Sequence, residues 1–448
     1  KALKIRSKYH IVGRFMYEAV YNVGPQAFRD VREADKENID NFKQSYDLWE
    51  CYVDLSRGPA FIRFGRQNLS WGETDVFRLL DSINPLDNTF GGPFEDLDDR
   101  RIPLWMLRGS YNFGNLGPIK SLTLDAFWVP GNWDARVAPW APKGTAYSAP
   151  LSEDLARFLH FEYPAKVMDS SRWGFRLQGM AGSMNLAVAH YRTYLDLPAL
   201  RAVIEPGIPL LTSLDQMAFE VSYNPVHITG ASLNYWEPRT NTVIRGEVAW
   251  FWDEPVFIPE ENISVLYGPV LPLPDPVLDL AALLFGIDIR DLGLNGLPLN
   301  PQSGTIPRKN ILRFMIGLDR QMWIRPLNKT NMFFVSLQYF GQWVPDYDDR
   351  MKQPLQLYPN PVDFAGVREL ESTFTFLMST MYRKGTLNPQ IALAYDVRGA
   401  WLIQPSLNYI REPFRFMLQY SAIEGQFTSF GAFRDRDQIT FILTYLLN

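Results

Sequence analysis

Cysteine is all but missing: Cys51 stands alone in 448 residues. An internal disulfide is therefore excluded. With no CxxC or CxxCH segment, so are zinc ribbons and covalently attached c-type haem. Histidine is scarce too. His10, His160, His190 and His227 lie scattered, none at metal-ligand spacing, and neither HExxH nor GxSxG occurs. A Ser–His pair drawn from neighbouring strands is one way a barrel becomes an enzyme, and His190 beside a strand serine would mimic it. A lone strand histidine is ordinarily structural, so no catalytic residue, metal or cofactor is assigned and no enzyme is expected. An excess of positive charge is also missing. A net charge of -5 and a pI near 5.6 give no reason to expect nucleic-acid binding. No apolar run reaches the roughly 18–20 residues of a spanning helix. The chain opens KALKIRSKYH, without Met or signal peptide, and reads as processed or partly observed, which leaves its location open.

Aromatic residues, at 14%, are plentiful, and the ruling pattern is alternation with period two. Trp173, Phe175 and Leu177 alternate with Gly174, Arg176 and Gln178; Met217, Phe219, Val221 and Tyr223 with Ala218, Glu220 and Ser222. The same holds for Leu312 to Asp319, Ile391 to Arg398, Phe414 to Ser421, and Ile439 to Leu447. A soluble β-sandwich would alternate likewise. Three features favour a membrane barrel. The strands run to about 10–13 residues, as a tilted bilayer crossing needs. Aromatics such as Trp128, Tyr223, Tyr235, Trp343, Tyr382, Tyr409 and Tyr445 stand near strand ends. Short turns, as at Gly182-Ser183 and Arg411-Glu412-Pro413, contrast with long loops. The expectation is one all-β domain over 1–448, a transmembrane antiparallel β-barrel of about 16–18 strands with long outer loops and short helical inserts. About 17 strands can be counted, although barrels have even numbers. Hairpin counts from the two ends also disagree on which loops lie outside. A misread hairpin near Asn224-Pro225 or Glu237-Pro238 is the expected fault.

In such a barrel the alternation sends Leu, Phe and Val into lipid. It leaves Arg66, Arg176, Glu220, Arg245, Glu247, Arg313, Asp319, Asp396 and Arg415 in the lumen, because a charge at the bilayer midplane costs about 2–4 kcal/mol. Those charges either pair across strands and hold the wall, or form a ladder that orients a polar head group. Two loops are unusually apolar. Residues 255–308 contain a helix candidate within 270–290, capped by Asp275 and led by Pro276, whose Leu280, Leu283, Leu284 and Phe285 would make a hydrophobic mouth. The "LPALRAVIEPGIPLL" stretch after Asp196 is the second.

The stretch "GRQNLSWGETDVFRLLDSINPLD", Gly65 to Asp87, starts as a strand and turns into a charged, helical-looking insert over about 73–90. SWGE followed by INPLD, together with "NPVHITGASLNY" and "VIRGEVAW", resembles the DUF1302 family of proteobacterial outer-membrane proteins. The resemblance implies a barrel in the bacterial outer membrane, surrounded by outer-membrane lipids and lipopolysaccharide. It also implies association with a periplasmic lipoprotein and a lipid-transporting inner-membrane transporter. On this reading the insert folds inward from the rim, with Trp71, Glu73, Asp75, Arg78 and Asn84 anchoring it to the inner wall. The functional expectation is a channel or transporter for hydrophobic or amphipathic molecules, a carboxylate or hydroxyl of the cargo meeting Arg176, Arg245 or Arg313 inside. The alternatives are a general porin for small polar solutes and a barrel sheath in a larger envelope complex such as a porin–cytochrome conduit.

Overall fold

The computed structural model describes residues 5–74, 77–90, 92, 95–148, 158–210, 216–285, 296–353, 366–426, 429–434 and 436–446. The strands, in chain order, begin with β1 (Arg6–Tyr17), β2 (Gln44–Arg57), β3 (Ala60–Gln67), β4 (Leu104–Leu116), β5 (Ile119–Val129), β6 (Leu159–Glu162) and β7 (Arg172–Ala181). Then come β8 (Met184–Tyr194), β9 (Ala199–Ile204), β10 (Met217–Ser222), β11 (Pro225–Glu237), β12 (Thr242–Pro255), β13 (Val270–Pro272) and β14 (Gly296–Pro298). The last are β15 (Arg308–Met322), β16 (Phe333–Trp343), β17 (Leu370–Ser379), β18 (Leu387–Asp396), β19 (Ala400–Arg411), β20 (Phe414–Gly425) and β21 (Gln438–Tyr445). Sixteen of them form one antiparallel sheet, each paired with the next in the order β1 to β5, β7, β8, β11, β12 and β15 to β21. That matches the all-β expectation and gives, among the described residues, a count of sixteen.

The miscounted hairpin is the one at Asn224-Pro225. Met217 to Ser222 is indeed a strand, but β10 leaves the wall and joins β6 and β9 in a separate three-stranded sheet. The expectation that Glu220 faces the lumen from a wall strand is therefore corrected. Glu220 lies on β10, where cross-strand Arg201 pairs with it at 2.9 and 2.7 Å. Period two was right to mark a strand there, but five of the six residues of β10 are buried, so both its faces are covered, and period alone does not say which sheet a strand joins.

With β10 removed the parity conflict disappears. Connections 18–43, 68–103, 130–171, 195–224, 256–307 and 344–369 all leave one end of the sheet; turns 58–59, 117–118, 182–183, 238–241, 323–332, 380–386 and 412–413 close the other. The sheet curls around one filled interior. Inner-face residues of β4, β5, β8, β11, β12, β15 and β16 share a core with Leu69, Trp71, Leu79, Leu80 and Ile83 of the 68–103 connection. Phe77 of that connection extends the contact to Ala394, Ala400 and Ile423 on β18 to β20. Among the described residues no ladder joins β21 back to β1. Connecting segments approach across that seam instead: the Ala146 N–H donates to the Tyr21 hydroxyl at 3.4 Å, and the Tyr147 hydroxyl donates to the Gln438 side chain at 2.6 Å.

The outer face is banded. By register, Leu177, Val188, Ala231 and Val248 form an apolar row; Phe175, His190, Thr229 and Trp250 lie one row nearer the long-loop end; Trp173, Arg192, His227 and Trp252 follow. Apolar, aromatic and basic rows in that order are the profile of a wall passing from hydrocarbon to headgroups.

The helical reading of 73–90 is also corrected: none of its described residues is helical. The Glu73 and Leu80 N–H groups are taken by Glu247 of β12, that of Leu86 by Asp196, and those of Asp87 and Thr89 by the connection itself, none by a carbonyl four residues back. The helix within 270–290 is present as Asp275–Phe285.

Candidate functional site

The 68–103 connection plugs the interior, and its fastenings come from several strands. At its base, Asn84 Oδ1 accepts from the Leu69 N–H at 2.9 Å, and Asn84 Nδ2 donates to the Gln67 and Ile102 carbonyls at 3.3 and 2.9 Å. One amide thus ties the end of β3 to the start of β4. Trp71 is fully buried, its indole N–H donating to Asp125 of β5 at 3.2 Å and its ring set edgewise near Phe127 and Tyr191. Glu247 of β12 accepts from two insert N–H groups, Glu73 at 2.6 Å and Leu80 at 2.7 Å. Arg245, two residues before it, donates to the Glu73 carbonyl at 2.7 Å and pairs with Asp319 of β15 at 2.8 Å. Arg176 of β7 donates to the Trp71 carbonyl at 3.3 Å. Arg78 pairs with Asp196, whose other oxygen accepts from the Leu86 N–H at 3.0 Å. A buried ion is costly unless it is paired or hydrogen-bonded: Arg245 and Arg78 are paired with Asp319 and Asp196, while Glu247 and Arg176 are held by hydrogen bonds.

Arg66 is buried at the rim end of β3, held by Asp47 and by the Leu48 and Pro103 carbonyls, so it clamps the wall and offers nothing to a solute. Gly65 beside it has φ of +137°, and a Cβ there would meet the Cys51 carbonyl oxygen at 2.2 Å, so glycine is required for the strands to approach. Arg415 is exposed near the short-turn end of β20. Asp75 lies outside the described residues, as do the side chains of Leu283, Leu284 and Phe285. Leu280 is exposed on its helix, while Leu278 is buried.

Toward the long-loop end, between plug and wall, lies a cavity of about 730 Å³. Its apolar lining includes Phe77 and Leu79 from the plug, Leu195, Leu197 and Leu200 from the connection after β8, Val221 of β10, Val256 and Phe257 after β12, and Ile311 and Phe340 from the wall. Arg78, Glu254, Arg313, Glu371, Asp396 and Arg398 supply its charges. Arg313 forks onto Glu254 at 2.7 and 2.8 Å, stacks over Phe251 at 4.1 Å and donates to Gln342 at 2.7 Å. Arg398 lies 3.1 Å from Glu371 and 3.7 Å from Asp396. A polar antechamber of about 520 Å³, lined by Tyr347, Lys352, Arg368 and Glu369, shares Gly366 and Arg398 with it.

Arg313, Asp396 and the apolar "LPAL" loop were legible in the sequence; Glu254 was not. Strict alternation along β12 aims Asp253 inward, but the ladder shifts register between Phe251 and Glu254, with Asp253 at φ +49°, and Glu254 turns in. Phe77 and Leu79 had no periodic signal, because the plug is neither helix nor strand.

The model of the family described as "Protein of unknown function (DUF1302)" matches residues 6–447. No curated protein gives a significant match. Solved structures similar to this chain include Pseudomonas aeruginosa OpdK with vanillate, at 8% identity, a TM-score of 0.43, and coverage of 98% of this chain and 88% of that one. Pseudomonas aeruginosa OccK8 (OprE) is 10% identical, with a TM-score of 0.38 and coverage of 99% and 88%. Acinetobacter baumannii OccAB1 is 11% identical, with a TM-score of 0.37 and coverage of 86% and 74%.

Proposed function

The chain belongs to the DUF1302 family, and from that premise we propose that it forms an outer-membrane β-barrel whose lumen passes hydrophobic or amphipathic molecules. The observation that carries this reading is the cavity above the plug: apolar surface from two loops, the plug and the wall, with paired charges along it. Covering apolar area there is worth roughly 25 cal/mol per Å² to a solute. A general porin has no use for so much buried apolar lining. The sheath reading needs an empty interior, and here the Trp71 segment fills it. The banded outer face supports a bilayer setting among outer-membrane lipids and lipopolysaccharide. Transport, rather than catalysis, is the activity this arrangement serves.

The test is uptake. Leu200→Glu and Phe257→Glu place carboxylates on the cavity's apolar side. Reconstituted barrels carrying them should lose about tenfold of long-chain amphiphile flux while passing a small sugar unchanged. Deleting residues 270–290, which contribute no described residue to the cavity, serves as the comparison. Equal loss for sugar and amphiphile, or no loss at all, would leave a general porin as the better account.

A further inference from the structure

The charges around the cavity are balanced and already committed. Three arginines and three carboxylates line it. Arg313 is forked onto Glu254. Arg398 sits against Glu371 and donates to the Gly366 carbonyl at 2.6 Å. Arg78 holds Asp196 and the Asn84 carbonyl. Deeper in the lumen Arg245 is likewise paired with Asp319, whereas Arg176 is held by the Trp71 carbonyl and the Gln178 side chain. A carboxylate entering here has to displace an internal carboxylate from its arginine, leaving that group buried and unpaired; an entering cation meets the mirror-image cost. Either head also loses its own hydration.

An uncharged head meets neither barrier. Asn224, Gln342 and Thr373 line the same cavity and offer neutral donors and acceptors. Beyond it, the inner face of β17, β19 and β20 carries Thr375, Gln404, Gln419 and Ser421, with the Ser421 hydroxyl accepting from Gln404 at 3.1 Å and from Gln419 at 3.3 Å. That strip is polar and uncharged, and its hydroxyls and amides exchange hydrogen bonds with a passing solute without moving an ion pair.

We propose that the cavity selects amphiphiles whose polar end is uncharged, such as an alcohol, ketone or amide on an aliphatic or ring body, and discriminates against carboxylates and ammonium groups. The inference rests on the amphiphile-passing reading above and names its substrate class. It also chooses between the two heads that the sequence left open, hydroxyl and carboxylate.

The experiment measures binding of dodecanol, dodecanoate and dodecyltrimethylammonium to the whole chain in nanodiscs at pH 8, with empty nanodiscs subtracted and Trp140, which lines the cavity, as one fluorescent reporter. Dodecanol is expected to bind, and both charged probes to bind about tenfold more weakly or worse. The Glu254→Gln, Glu371→Gln variant removes the carboxylates that occupy Arg313 and Arg398. It should raise the ratio of dodecanoate to dodecanol affinity about tenfold, and an unchanged ratio overturns the neutral-head inference. Heat-modifiable migration checks that the variant folds, and Glu371→Gln alone replaces it if the double variant does not. Dodecanoate binding as tightly as dodecanol to the wild type overturns the neutral-head inference while leaving the amphiphile reading standing. Binding of none of the three probes overturns both.

Discussion

Glu247 is the residue on which the plug most directly hangs. Its two oxygens take two backbone N–H groups seven positions apart in the chain, those of Glu73 and Leu80. Glu247→Ala leaves both donors buried without an acceptor, at about 1–3 kcal/mol each. The plug should then loosen, and single-channel conductance in planar bilayers should rise; an unchanged conductance would place the resistance elsewhere. Glu18, just past β1, gives a pH dependence outside the strands. Burial first, and then the charge of Glu95, push its carboxyl up to about 7. Tyr21, Tyr147 and Arg436 face the same cluster. A raised carboxyl binds its proton more tightly when folded, so its contribution to stability is complete below its ordinary value near 4.5 and declines as pH rises to about 7. Hydrogen-exchange protection around 18–22 and 145–148, with the intrinsic base catalysis of amide exchange divided out, should fall from pH 5 to pH 8, and Glu18→Gln should abolish that fall.

At the scale of elements, the strands obey the simplest rule in the chain. Along β15, Ile311, Met315 and Gly317 turn inward and buried, while Ile316 and Leu318 are exposed on the outer face. The outward row through Val188 is the one that lipid would touch. Val188→Arg should therefore lower the unfolding free energy in bilayers by about 2–4 kcal/mol, and Val188→Leu should cost little. Refolding into vesicles with urea titration measures it, and an arginine tolerated without loss would remove that row from the hydrocarbon. The plug follows a different logic. It is rich in groups that hydrogen-bond to a wall, and Asn84 and Asp196 do for its backbone what a helix would have done internally.

On the scale of the whole molecule, sixteen strands among the described residues wrap one interior that is full on the side of β4 to β16; on the side of β17 to β20, Glu371 and Asp396 face the cavity and Thr375, Gln404, Gln419 and Ser421 lie beyond it. The loops at the long-loop end contribute most of the cavity, so recognition and wall are built by different parts of the chain. A sheet of this kind, closed in a membrane, resists detergent until heated. The purified protein should migrate faster unheated than boiled on detergent gels and should partition with the outer-membrane fraction. Identical migration together with recovery as a soluble protein would refute the barrel.

Period two by itself determined that the chain is all-β, the two faces of the strands, and that Arg176, Arg245, Glu247, Arg313, Asp319 and Asp396 lie on the face opposite the apolar one, because side-chain direction in a strand is a local property; strand length, aromatic placement and loop asymmetry made the sheet a barrel. The stretch from Gly65 to Asp87 marked the inward insert only through the family resemblance of its SWGE and INPLD segments, and its own pattern suggested a helix that the structure does not form. Only the tertiary structure decided which strands share a sheet, so that Glu220 on β10 left the wall. It also decided where a bulge reverses parity, so that Glu254 turned inward, and how the plug's peptide groups are satisfied without a helix. Those outcomes depend on partners far apart in the chain, such as Glu73 with Glu247 and Arg78 with Asp196, and no local pattern encodes a partner that distant.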